Sequence, residues 1–159
     1  MISLEQIKQQ LLEGKQIEEI VENIEWQEFE KLVSEILEKH EFKSWNNFRF
    51  KTTRRYEIDI IATKNTETFL IDCKQWSTGR YKSSALKQAT KHQEERLEEF
   101  QKFIKNNPIA KTKFRIKDNQ ELIPIIVTWY DEKLTKHGQA PIIPIWKLNE
   151  FLLSPSNYA

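Results

Sequence analysis

The sequence is poor in the residues on which many common activities depend. A single cysteine, Cys73, in 159 residues rules out a disulfide framework and a multi-cysteine zinc site. Only three glycines occur, Gly14, Gly79 and Gly138, so neither a phosphate-binding P-loop nor a dinucleotide fingerprint can be written, and no Gly-x-Ser-x-Gly elbow exists. His40, His92 and His137 are widely spaced and read as structural or surface residues. No run of about 18 apolar residues could span a bilayer, and the opening Met1-Ile2-Ser3-Leu4-Glu5 has no signal-peptide pattern. A cytoplasmic protein without membrane association is therefore expected. The net charge of +1 argues against a protein that coats nucleic acid indiscriminately. The length suits one compact domain.

What the chain does contain is a pair of apolar strands, each carrying a charge where a buried strand should not. Tyr56-Glu57-Ile58-Asp59-Ile60-Ile61-Ala62 is followed by Phe69-Leu70-Ile71-Asp72-Cys73-Lys74-Gln75-Trp76. Strand side chains alternate faces, which puts Asp72 and Lys74 on one face and Ile71 and Cys73 on the other. The same alternation puts Asp59 opposite the face shared by Ile58 and Ile60, with Glu57 on the side of Asp59. If the runs are neighbours, two carboxylates converge beside an ammonium. Ionised groups in such surroundings need compensation, and a divalent cation together with the lysine would supply it. Two hard oxygen ligands plus water suit magnesium, and a lysine beside them orients water or stabilises charge on a phosphate.

A helix supplies a third acid. From Ile24 to Lys39 the residues Trp26, Phe29, Val33, Ile36 and Leu37 form one stripe. Glu30 falls at its margin and is aimed toward the core, whereas Glu28, Glu35 and Glu38 point away.

In this order the residues resemble the PD-(D/E)xK nuclease superfamily, the restriction-endonuclease-like fold. The match runs through a helix with Phe29-Glu30, a strand with Glu57-Ile58-Asp59, a strand with Asp72-Cys73-Lys74 and a following helix, over roughly residues 24–150. Mrr-type restriction endonucleases and archaeal Holliday-junction resolvases look most alike. Mrr-like sequences tend to have a glycine before the first aspartate and Glu or Gln at the head of the second motif, where Tyr56-Glu57 and Asp72 stand here. The resemblance implies an α/β domain with a central mixed sheet of about five strands flanked by helices, in the order αβββαβ. It implies that Asp59 and Asp72 bind Mg2+ directly, with the main-chain carbonyl of Cys73 as a further ligand and Mn2+ able to substitute. Lys74 would position or activate the attacking water, and Glu30 would reach the metal through water. Gln88 stands where relatives place a polar residue near the site, and Glu57 is a substitute ligand by position. The implied activity is hydrolysis of DNA phosphodiesters. Cutting both strands would call for a homodimer; the expected lack of a separate sequence-reading domain favours structure-specific cleavage, or a fragment of a larger enzyme fused to or partnered with a DNA-recognition domain, over a stand-alone sequence-specific restriction enzyme.

Charge is distributed unevenly. Acidic residues outnumber basic ones by seven over residues 1–41. Residues 43–55 then hold Lys43, Arg49, Lys51, Arg54 and Arg55 with no acid, and residues 74–92 hold Lys74, Arg80, Lys82, Lys87 and Lys91 with none. These two segments flank the proposed site, and Lys51, Arg54, Arg55, Arg80, Lys82, Lys87 and Lys91, with Gln88, are the expected nucleic-acid contacts. Trp45, Tyr56, Trp76 and Tyr81 lie among them and could stack on bases, form core or line a dimer contact.

Punctuation fixes the rest. Ser3 to Leu12 reads as a helix stopped by Gly14, and Gln16 to Val21 as a further turn leading to a cap at Asn23. Residues 1–22 are thus a helical appendage and residues 23–159 the nuclease-like domain. Strands are expected near 47–52, 55–62 and 68–75. A helix capped by Ser83 or Ser84 runs to about Asn106, with Leu86, Ala89, Gln93, Leu97, Phe100 and Ile104 as its stripe and Glu94, Glu95, Glu98 and Glu99 as an acidic middle. Alternation from Lys111 to Lys117 suggests an exposed strand or hairpin. Leu122–Trp129 and Ile142–Trp146 read as buried strands and Lys147–Leu153 as a closing helix. The rival class is a nucleic-acid-binding or scaffolding module that keeps the fold without turnover.

Overall fold

Why the chain folds as it does is clearest in its caps and its alternation. The structure, a computed structural model, describes residues 3–16, 19–20, 24–65, 67–74, 82–118, 120–129, 136–138 and 140–155, with the backbone alone at 82, 83, 136 and 137. Helix α1 (Leu4–Leu12) opens on a capping box in which Ser3 accepts from the Gln6 amide and Gln6 accepts from that of Ser3. It buries no residue, and Gly14, at φ 90°, turns the chain beyond it. Asn23, and part of the turn expected over Gln16–Val21, lie outside the described residues. Helix α2 (Trp26–Lys39) starts from a Glu25 cap and buries Phe29, Glu30, Leu32, Val33 and Leu37.

Three antiparallel strands follow: β1 (Lys43–Lys51), β2 (Arg55–Lys64) and β3 (Glu67–Lys74). The long helix α3 (Lys82–Lys105) crosses over, as a parallel connection requires, and a short α4 (Pro108–Lys113) leads to β4 (Leu122–Thr128), parallel to β3. Since α3 begins at Lys82, Ser83 and Ser84 fall inside its first turn rather than at its cap. A two-residue strand, β5 (Lys136–His137), and β6 (Ala140–Pro144) precede α5 (Ile145–Leu153). The sheet runs β1-β2-β3-β4-β6-β5, so the five expected strands gain a minimal sixth at the edge. Among the described residues no helix is long and apolar enough to cross a membrane.

The central strands are covered on both faces. On one, Ile60, Ala62, Phe69, Ile71, Cys73, Ile125 and Val127 pack with α2 and α5. On the other, Ile61 and Leu70 pack with Leu97, Phe100 and Ile104 of α3 and with Phe114. Asp72 and Lys74 share the alternation of Leu70, as the sequence implies.

The alternation fails at one place. Ile58 packs on the α3 side with Ile61, whereas Ile60 packs on the α2 side. Expectation put Ile58 and Ile60 on one face; the strand instead slips by one face at Asp59. Directly across on β1 stands Asn47 at φ 55°, a left-handed conformation that asparagine tolerates better than most residues. The β1–β2 register resumes unshifted beyond it, from Asn46↔Ile60 to Phe48↔Ile58. Pairing of β2 with β3 ends at Ile60↔Ile71 while pairing with β1 continues to Lys51↔Arg55. The end of β1 and the start of β2 thus leave the sheet beyond Asp59 as a two-stranded ribbon.

The alternating run after α3 is not a hairpin. Asn107 accepts from the Ala110 amide as N-cap and Pro108 supplies the first turn of α4. Phe114 is fully buried against Trp45, Phe48 and Phe100. The Asn-Pro start, a helix signal, outweighs the alternation. Asn107→Ala is expected to destabilise the protein by about 1 kcal/mol in urea unfolding; no loss would show the cap to be idle.

Candidate active site

Continuing the β2–β3 register one step past Ile60↔Ile71 sets Asp59 opposite Asp72. The Asp59 side chain takes over where the ladder stops: its Oδ2 accepts the Cys73 amide at 2.9 Å. Its carboxyl also lies beside that of Asp72 and feels its charge. Asp72 is buried, at 4% exposure. Its Oδ2 is 3.2 Å from Lys74 Nζ and its Oδ1 is 3.6 Å from Arg96 Nη1. Glu30 reaches the same cluster from α2, close enough that its charge is felt by Asp59 and that of Asp72 by Glu30. The four residues singled out in the sequence, Glu30, Asp59, Asp72 and Lys74, therefore meet at one place.

The electrostatics follow from burial first. Desolvation, then the neighbouring Asp72 charge, push the Asp59 carboxyl up to about 7, against the Cys73 amide that favours its ionised form. Glu30 is raised by burial, then by Glu57 and Asp72. The Cys73 thiol, packed in the α2-side core, is pushed well up and is unreactive there. Among the described residues two carboxylate oxygens, Glu30 Oε1 and Asp72 Oδ2, are buried without a hydrogen bond, although Asp72 Oδ2 is ion-paired with Lys74. Unsatisfied buried acceptors are uncommon in folded proteins, and hard oxygen atoms of this kind fit a magnesium-class ion. Among the described residues no set of three or more His, Cys, Asp and Glu side chains forms a ready-made metal cage. The donor set accordingly fits an ion that keeps several waters.

Two residues of this site were not singled out. Gln93, 1% exposed, donates to the Leu70 carbonyl at 2.7 Å and fixes α3 to β3. Arg96 donates to Gln93 Oε1 at 3.2 Å and faces Asp72. The signal was a glutamine in an otherwise apolar stripe. Gln88 is exposed, with Nε2 3.1 Å from His92 Nε2. Glu57 pairs with Arg49 at 2.8 Å, so its carboxylate is engaged by the neighbouring strand.

The expected nucleic-acid contacts divide. Lys51 and Arg55 are exposed and line a groove of about 620 Å³ on the ribbon with Arg49, Phe50, Tyr56 and Glu57. Lys87 and Lys91 are exposed on α3. Arg54 is paired with Glu95 at 2.7 Å and lies over the Tyr56 ring. Tyr56 is buried and bonded to Glu95, and Trp45 packs edge-on against Phe114, so both serve the core. Arg80, Trp76 and Tyr81, and the side chain of Lys82, lie outside the described residues.

Three carboxylates and a lysine gathered where β2 parts from β3, on a mixed sheet of this order, define the restriction-endonuclease-like class and its PD-(D/E)xK pattern. Within that class the chain belongs to the nuclease-related domain family, NERD, which residues 25–145 match. It is 32% identical over 128 residues to an uncharacterized protein of Archaeoglobus fulgidus, covering 80% of this chain and 88% of that protein. A crystal structure of a protein of unknown function is similar at 18% identity and a TM-score of 0.46, over 80% of this chain and 65% of that one. A protein from Vibrio cholerae is similar at 12% identity and a TM-score of 0.40; this chain covers 32% of its length.

Proposed function

We propose that the protein is a metal-dependent DNA endonuclease. The observation that carries this reading is the convergence of Asp59, Asp72, Glu30 and Lys74, with Glu30 Oε1 and Asp72 Oδ2 buried without a hydrogen bond. Asp59 and Asp72, with the Cys73 carbonyl, would hold Mg2+ or Mn2+, and Glu30 would reach it through water. The bound ion would neutralise charge on the scissile phosphate and make water a better nucleophile. Lys74, held by Asp72, directs its ammonium at the attacking water and at the oxygens that gain charge. One P–O ester bond breaks as the water oxygen bonds to phosphorus and releases a proton to solvent, and the departing oxygen takes a proton from solvent. Arg96 and Gln93 keep Asp72 facing Lys74. The groove of Lys51 and Arg55, with Lys87 and Lys91, supplies phosphate contacts beside the site. One site cuts one strand, so double-strand cleavage would use a homodimer.

The test is incubation with labelled linear duplex, single-stranded, flap and four-way-junction DNA in Mg2+, Mn2+ or EDTA. Cleavage in metal and none in EDTA is expected. The junction tests the likeness to resolvases and the linear duplex that to Mrr-type enzymes. Binding without cutting in every metal would replace the endonuclease by a non-catalytic binding module.

A further inference from the structure

A second concave site lies at the other end of the β2–β3 hairpin. A pocket of about 340 Å³ there is lined by Lys43, Lys64, Arg115 and Lys117, with Glu41 and Asn65. It is built by three separate connections: the turn after α2, the β2–β3 turn and the segment after α4. Strand geometry puts it roughly 17 Å from Asp59, five residues along β2, the rise of about five base pairs of duplex. None of the four cations forms an ion pair among the described residues, in contrast to Arg49 and Arg54 on the ribbon. Lys43 and Lys64 ride on the rings of Trp45 and Phe42, at 5.8 and 5.6 Å, which orders them without neutralising them.

The backbone adds an independent indication. Of the four non-glycine residues at positive φ among the described residues, three line this pocket: Glu41 at 66°, Asn65 at 53° and Arg115 at 56°. Glu41 and Arg115 follow the C-caps of α2 and α4. There Phe42 donates to the Leu37 carbonyl and Ile116 to that of Lys111, a closure that glycine normally makes. An arginine where glycine is the unstrained choice points to a use for its side chain. Helix C-termini attract cations in their own right. Setting Glu41 and half a charge for each of the two C-termini against the four cations still leaves about two positive charges.

We propose that this pocket binds the backbone phosphates of a nucleic acid, about two at a time and without reading bases. Nucleic acid as the source of those phosphates rests on the function proposed above; the affinity for phosphate does not.

The test uses the full chain in EDTA, where binding is read without cleavage, and a labelled duplex of about 30 base pairs, followed by fluorescence anisotropy over a series of salt concentrations. Lys64→Gln combined with Arg115→Gln is expected to weaken binding about tenfold at roughly 0.1 M salt and to flatten the slope of log K against log salt by about 2. Lys105→Gln, exposed near the end of α3, is expected to leave both unchanged. Arg115→Gly is expected to raise Tm by about 2 °C while weakening binding, which separates the loss from unfolding. An unchanged affinity and slope in the double variant overturns the proposal. If tripolyphosphate nonetheless binds the wild-type pocket in calorimetry, the site takes free anions and not nucleic acid. Weaker binding in the double variant alongside no cleavage by the wild type in any metal would uphold this site and sink the endonuclease. Normal cleavage with an insensitive double variant would do the reverse.

Discussion

Asp72→Ala is expected to lower metal-dependent cleavage by at least about 10³-fold, and Lys74→Ala by about 10²–10³-fold. Asp72 carries the larger effect because three functions meet on it. Its Oδ2 is buried without a hydrogen bond, it lies beside Asp59, and it holds Lys74 at 3.2 Å. Removing it would take away a metal ligand and the partner that aims the ammonium. In the proposed mechanism Lys74 acts only at the reacting atoms, so its loss should leave metal binding intact. Lys74→Arg is expected to recover little, since a planar guanidinium does not reproduce a point charge at that position. The measurements are single-turnover cleavage, Mn2+ titration calorimetry and thermal unfolding. A split is expected: both variants fold, Asp72→Ala loses metal binding and cleavage together, and Lys74→Ala loses cleavage alone. Full cleavage by Asp72→Ala would remove this cluster from the chemistry.

How far the sequence disclosed this arrangement can be followed residue by residue. The faces of Asp72 and Lys74, and the inward turn of Glu30, followed from simple periodicity because β3 and α2 are regular over those lengths. Asp59 does come beside Asp72, but not by the regular alternation that placed it. Regular alternation would have set Ile58 and Ile60 on one face, but the left-handed Asn47 lies on the partner strand, and no pattern within β2 announces it. Arg54 illustrates a second limit. The acidic middle of α3 has a structural function: Glu95 holds Arg54 and Tyr56, and Glu99 holds Thr52, so the helix clamps the ribbon. Such pairing joins residues about 40–47 positions apart and has no local signature. Residues 111–117 failed differently, because alternation in a short charged run fits a helical turn and its exit as well as a strand. The family match supports a nuclease-related protein.

The metal-free protein is expected to lose stability as pH rises from about 4 to about 7, and Asp59→Asn to be more stable than the wild type above that range. The sign follows from the direction of the shift. Asp59 titrates near its ordinary 3.8 in the unfolded chain and at about 7 in the fold, where burial and then Asp72 oppose its charge. Between those values the folded chain binds the proton and the unfolded chain has released it, so stability falls with rising pH, the reverse of a salt-bridged aspartate. The loss is complete above about pH 7 and amounts to at most about 4 kcal/mol at 1.36 kcal/mol per unit. Asparagine removes it while its side-chain oxygen can still accept the Cys73 amide that Asp59 accepts at 2.9 Å. Thermal unfolding in EDTA should therefore show the two proteins alike near pH 4 and Asp59→Asn melting higher by about 5–10 °C at pH 8. Mg2+ should raise Tm of the wild type at pH 8, by binding the carboxylates that burial disfavours, and leave Asp59→Asn almost unmoved. At pH 6 the same binding should release protons, read as a buffer-dependent calorimetric heat. Parallel melting profiles for the two proteins across pH 4–8 would show that Asp59 carries no such strain. A stabilised but inactive Asp59→Asn would show that the fold bears this buried charge as a cost of the site.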